Sequence, residues 1–201
     1  MSDFPVALHG ERIKAVIVGG GAVGTRKALA LLEAGAQVTV VAPQISDELR
    51  EAERLRRVTV VREEYDRDCI KGMNLVIAAT DSRDINAQIA VDAQHNGQLV
   101  NITDYPDEGN FHTMAVHRSG DITIAVSSGG VPGAATRIRD AIAERFDSRY
   151  ERAVSVLREL RARSLGGRDD RWRDAASKLL DGDFCASVED GTFAEKVDSW
   201  R

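Results

Sequence analysis

The feature that most constrains this chain is a glycine turn set between an apolar strand and a helix. Gly19, Gly21 and Gly24 stand in the spacing G-x-G-x-x-G. Residues 13–18 form a continuous β-rich apolar run before it, residues 22–34 have helical composition, and residues 37–41 are β-branched again. Strand, turn, helix and strand in that order predict the start of a dinucleotide-binding fold. The three glycines then serve different ends. Gly19 permits the tight turn, Gly21 lets the backbone approach a pyrophosphate, and Gly24 lets the helix pack close to the strand. The helix start at Ala22 and Val23 offers free N–H groups and the positive end of the helix dipole to the phosphates.

Cofactor choice follows less directly. The acidic residue that would bind a ribose 2′-OH about 20 positions on is absent, because the second strand ends Val41-Ala42-Pro43. No arginine stands there to clamp a 2′-phosphate, which favours NAD and leaves NADP open. Ala42, Pro43 and Thr80 are the further residues expected at the cofactor.

Length and composition bound the rest. A chain of 201 residues, 43% hydrophobic and 29% charged, can bury one main core and a smaller second one. No apolar run approaches the ~20 residues of a membrane span, and the first ten residues lack a signal-peptide core, so a cytoplasmic protein is expected. Cys69 and Cys185 form no C-x-x-C, which points away from a disulfide framework or a zinc site. The net charge of −5 is spread over interspersed acids and bases, with no basic stripe for nucleic acid.

Further along, residues 46–56 are expected as helix, 58–61 as strand, 74–79 as strand, 83–95 as helix and 99–102 as a fifth strand. Thr80, Asp81 or Ser82 caps the helix that begins at Arg83. This alternation predicts an α/β, doubly wound parallel sheet of the Rossmann type, with Gly21, Thr80 and Asp104 on its carboxyl edge. After Asp104 the rhythm changes. Residues 111–117 and 122–127 form a β-hairpin joined at 118–121, a glycine loop at 129–133 follows, and helices are expected at 134–146, 148–163 and 171–180, broken at Gly166-Gly167. From Asp147 onward 12 acidic and 11 basic residues predict a solvated helical appendage. The domain boundaries are therefore placed at 1–110 for the nucleotide domain, 111–146 for a region of hairpin, glycine loop and helix, and 147–201 for a helical region.

Three blocks of sequence together resemble the precorrin-2 dehydrogenase family, which includes the dehydrogenase and ferrochelatase modules of siroheme synthases. The first is residues 19–27 with Leu31-Leu32 and Ala42-Pro43. The second is Val100-Asn101-Ile102-Thr103-Asp104-Tyr105-Pro106 followed by Phe111. The third runs from Gly120-Asp121 through residues 124–130 to Arg137. They span about residues 5–146, and the second and third are more specific than the glycine turn. Met114 departs from the family's usual proline, and Val131-Pro132-Gly133 departs from its usual loop. The resemblance is to the stand-alone form, without a methyltransferase domain.

The resemblance implies NAD-dependent oxidation of precorrin-2, a tetrapyrrole with eight carboxylates, to sirohydrochlorin in siroheme biosynthesis. It also implies a homodimer and raises ferrochelatase activity. Asp104 matches the family's aspartate, and a carboxylate near the oxidised carbon suits a general base. Without the resemblance Asp104 reads better as a cap of the turn beside Pro106 than as a base. Asn101, His112, Ser128, Arg118 and Arg137 are the expected substrate contacts, with Arg26 and Lys27 as further partners for its carboxylates. His112 and His117, five residues apart on one strand, would face oppositely and do not pair on a metal. The competing reading is a dimeric NAD-sensing module without catalysis.

Overall fold

The computed structural model describes residues 3–164 and 171–200. The chain divides into two compact units, Met1–His112 and Thr113–Arg201.

In the first unit the apolar runs form five parallel strands: β1 (Lys14–Val18), β2 (Gln37–Val41), β3 (Thr59–Val61), β4 (Leu75–Ala78) and β5 (Leu99–Ile102), in the order β3-β2-β1-β4-β5. After the exposed Lys14, strand β1 is buried on both faces, which is why residues 15–18 are all apolar rather than alternating. Ala15 and Ile17 face one core, with Val40, Leu49 and Ile77. Val16 and Val18 face the other, with Val76, Ile89 and Val100. Helices α1 (Ala22–Glu33) and α2 (Asp47–Arg54) supply Ala28 and Leu49 to the first layer, and α3 (Arg83–His95) supplies Ile89, Ala90 and Ala93 to the second. Each fully buried Ile or Val contributes about 1.5–3 kcal/mol by leaving water. The strand order reverses at β1, so the crevice at its carboxyl end is where a doubly wound sheet binds ligands.

Two caps settle the helix starts. Ser46 Oγ accepts from Leu49 N at 3.2 Å, and Ser82, of the three candidates before α3, accepts from Ile85 N at 3.4 Å. The free edge of β5 is closed by Asn110, whose side chain accepts from Val100 N and donates to Gln98 O, each at 2.8 Å. That docking holds residues 110–111 alongside β5 and delays the next strand.

The second unit begins with the hairpin of β6 (Ala115–Ser119) and β7 (Ile122–Val126). It starts later than the sequence suggests, so His112 is not on the strand that carries His117. The turn is only Gly120-Asp121, because Ser119 already pairs with Ile122. Gly120 has φ +56°, and a Cβ there would stand 2.3 Å from Glu151 Cγ. A glycine in the first turn position is what the mirror-image hairpin turns require.

Helices α4 (Pro132–Arg145), α5 (Ser148–Ser164), α6 (Arg171–Leu179), α7 (Phe184–Asp190) and α8 (Phe193–Asp198) complete the unit. The expected break at Gly166-Gly167 lies outside the described residues. The tail differs from a solvated appendage: α5 to α8 enclose their own apolar core around Tyr150, Leu157, Leu179, Val188 and Phe193. Tyr150 is 2% exposed, its hydroxyl donates to Glu189 Oε1 at 2.7 Å, and its ring lies 4.7 Å from that of Phe146. The hairpin lies against α4 and α5, with Ile122 in this core, so one of its faces is covered within the unit.

Candidate active site

The glycine turn has the geometry its spacing predicts. Gly19 has φ +119°, and a Cβ on it would stand 2.2 Å from Ala79 O, so no side chain fits there. A Cβ on Gly24 would stand 2.1 Å from Gly19 O, which shows how closely α1 approaches the turn. A Cβ on Gly21 meets nothing within 4 Å. Gly21 is the N-cap of α1 and carries no capping side chain, and the first helical backbone bond onto it comes from Thr25 N at 2.9 Å. The N–H groups of Ala22, Val23 and Gly24 therefore have no partner within the helix, beside open space. A pyrophosphate fits such a site, since backbone can approach it closely and the dipole favours its charge.

Gly20, which the motif leaves unspecified, is the residue that sequence reasoning missed here. A Cβ on it would stand 2.2 Å from Gln44 O and 2.9 Å from Ile45 Cγ2. Ser46 N donates to Gly20 O at 3.1 Å, so the loop after β2 closes over the turn. Thr25 Oγ1 donates to Ser46 Oγ at 2.9 Å and joins α1 to the same loop. Ala42 is buried at the end of β2 and Pro43 is exposed beside it. An open groove of about 550 Å³ continues along α1, lined by Ala22, Thr25, Arg26, Ser46 and Glu48. Arg26 is exposed there, while burial and then the charge of Arg26 push the half-buried Lys27 below the usual lysine range.

Across the crevice the ends of β4 and β5 are fastened together. Asn86, on the buried face of α3, accepts from Thr80 Oγ1 at 2.7 Å and from Thr80 N at 3.2 Å. Its Nδ2 donates to Thr80 O at 3.1 Å and to Asp104 Oδ1 at 3.0 Å. Asp104 Oδ2 stands 3.9 Å from Arg83 Nη1, and the Asp104 side chain is 37% exposed, open to an incoming ligand. Arg83 pairs with Glu108 and lies 4.9 Å over the Tyr105 ring. The hydrogen bond it donates to Glu108 holds the Arg83 guanidinium above its ordinary range, with the charges of Glu108, Asp104 and Tyr105 adding to it against partial desolvation. Asn86 is a second residue that sequence reasoning missed, although an asparagine on the stripe with Ile89, Ala90 and Ala93 is a readable signal of a buried polar role.

The expected substrate contacts are divided between the units. In the first, Asn101 is 5% exposed and donates to Phe111 O at 3.1 Å, so its side chain holds the loop rather than facing open space. His112 is exposed, with Nε2 3.6 Å from Asp3 Oδ2. In the second, Arg118 and Arg137 are exposed on β6 and α4, and Ser128 Oγ donates to Val131 O within the glycine loop. Gly129 and Gly130 have φ +58° and +88° there, conformations that suit glycine. His117 Nε2 lies 2.7 Å from Phe146 O.

Comparison with known proteins agrees with this geometry. Residues 6–115 match the model of an NAD(P)-binding family. The siroheme synthase of Nitrosococcus oceani is 30% identical over 197 residues, covering 98% of this chain and 41% of its own length. That of Nitrosomonas eutropha is 34% identical over 192 residues, covering 94% and 40%. The chain thus spans about two fifths of the length of these curated relatives. Among solved structures, SirC, precorrin-2 dehydrogenase, is similar with a TM-score of 0.78 and 25% identity, over 98% of this chain and 100% of that one. Siroheme synthases align with nearly all of its residues, and with the family model covering more than half of them the chain belongs to that NAD(P)-binding family.

Proposed function

We propose that the protein is an NAD-dependent dehydrogenase that oxidises precorrin-2 to sirohydrochlorin in siroheme biosynthesis. The observation that carries this reading is the placement of an open glycine turn and a solvent-accessible carboxylate, Asp104, at the carboxyl ends of strands in one sheet. The balanced reaction takes a hydride and a proton from the substrate and yields NADH. NAD⁺, when bound, supplies the hydride acceptor. The residues of this chain do the rest. The N–H groups of Ala22, Val23 and Gly24 hold the pyrophosphate, and the absence of an arginine after β2 fits a cofactor without a 2′-phosphate. Asp104 Oδ2 receives the proton. Arg118 and Arg137 supply guanidinium forks for the substrate's carboxylates.

Anaerobic incubation with precorrin-2 and NAD⁺ tests this. NADH and the sirohydrochlorin spectrum appear together if the reading holds. NAD binding without turnover would favour the regulatory module instead. Adding Fe²⁺ as a second substrate in the same cuvette reports on chelation, the further activity the reading carries.

The same reading makes the protein a cytoplasmic homodimer. One face of the hairpin is covered within its own unit, and the other carries the cross-strand pairs Val116 with Ala125 and Arg118 with Thr123. A two-stranded sheet is marginal alone, and a partner subunit would shield that face and its edges. Light scattering at micromolar concentration is expected to give twice the chain mass, and a monomer would count against the dimer.

A further inference from the structure

We infer that Asn86 is a positioning residue, which sets the orientation of the Asp104 carboxylate and ties it to the nucleotide turn. The inference rests on the dehydrogenase reading for its catalytic consequence and on geometry for everything else. Asn86 is 0% exposed. A primary amide in such a place costs stability unless its donors and acceptor are used, and an apolar residue would fill the same stripe of α3 without that demand. Every hydrogen-bonding end of this amide is used. Oδ1 faces the N–H and hydroxyl of Thr80, so Nδ2 must face Thr80 O and Asp104 Oδ1. The Thr80 bonds alone would fasten α3 to the end of β4. The bond to Asp104 adds nothing to that fastening and instead reaches the end of β5.

Both ends of this connection matter. The backbone of Thr80 lies against the glycine turn, since a Cβ on Gly19 would stand 3.0 Å from Thr80 N. At the other end, with Oδ1 held by Asn86, Oδ2 is the oxygen left to face the crevice. The charged and titratable groups around it are Arg83, at 3.9 Å, with Glu108 and Tyr105 behind. Asn86 therefore carries the position of the cofactor turn to the proposed base. A base misplaced by ~1 Å loses on the order of 10²-fold in rate, so such a link has a kinetic signature.

Asn86→Asp tests it, because the exchange keeps the shape and the acceptor toward the N–H and hydroxyl of Thr80 but removes the donor toward Asp104, together with the one toward Thr80 O. We expect kcat to fall about 10–10²-fold with the KM for NAD⁺ changed less than about threefold. The acid limb of the pH–rate profile should move to higher pH, because a second carboxylate now faces Asp104. In an Asp104→Asn background the same exchange should cost less than about twofold more, since the base is already gone. The paired exchange should also regain melting temperature, as the amide at position 104 can donate to the carboxylate at position 86. Asn86→Ser, too short to reach Asp104, gives the same kinetic readouts should the isosteric variant not fold. Equal losses in both backgrounds with an unmoved pH profile would mean a structural role only and overturn the inference. Carbon-13 NMR of the Asp104 carboxyl separates this from the enzyme assignment. Wild-type protein inactive on precorrin-2, with a titration that moves upward in Asn86→Asp, sinks the dehydrogenase reading and keeps the coupling. A titration that does not move sinks the coupling whatever the activity.

Discussion

Asp104→Asn is expected to lower dehydrogenation by about 10²–10⁴-fold, the range of general acid–base catalysis, with stability and NAD affinity close to those of the wild type. Asparagine is nearly isosteric, and its oxygen still accepts from Asn86 Nδ2. Arg83 keeps its closer partner Glu108, and the Asp104 side chain is 37% exposed, so the stability change should stay within about 0.5 kcal/mol. What asparagine cannot do is take a proton at neutral pH. The turn-cap alternative predicts almost no change in activity, and the local structure gives it little to explain. The turn over Pro106–Glu108 is closed by backbone bonds, Glu108 N to Tyr105 O at 3.1 Å and Gly109 N to Pro106 O at 3.0 Å. Steady-state kinetics with calorimetric NAD titration separate the two. Near-wild-type turnover would move the proton to water or to a substrate carboxylate.

Gly21→Asp is expected to weaken NAD binding by at least about 100-fold, roughly 2.7 kcal/mol, while leaving the fold intact. The reason for the intact fold is that a Cβ on Gly21 meets nothing within 4 Å. The reason for the lost affinity is that a carboxylate there occupies the space of the pyrophosphate and repels its charge. Gly24→Val makes the contrast. Its Cβ would overlap Gly19 O at 2.1 Å, so it should lower the melting temperature itself. Titration calorimetry and a thermal melt on the two variants distinguish a ligand-facing glycine from a packing glycine. Unchanged NAD affinity in Gly21→Asp would remove the pyrophosphate from this turn.

The sequence by itself determined the parallel sheet, the helix that follows each of its first, second and fourth strands, and the division of labour among Gly19, Gly21 and Gly24. These are local quantities. Apolar runs bounded by turn residues specify strands, and glycine at a strand–helix junction is read from spacing alone. The carboxyl edge was legible too, because strand order in a right-handed βαβ fold places Thr80 and Asp104 on it. Helices α7 and α8 were not legible. At 7 and 6 residues they are too short to show a period, and they hold their form by packing around Phe193 and Val188. Nor did composition show that a region balanced in charge encloses Tyr150 and Leu179 in a core of its own. Tertiary structure alone decided the partners of the polar side chains. Asn101, which by its sequence block should face a ligand, instead holds Phe111 O, and Asn86, which no motif marks, joins Thr80 to Asp104. The physical reason is range. A hydrogen bond across 18 residues of chain depends on how α3 lies against β4 and β5, and no pattern within α3 encodes the residue it will meet.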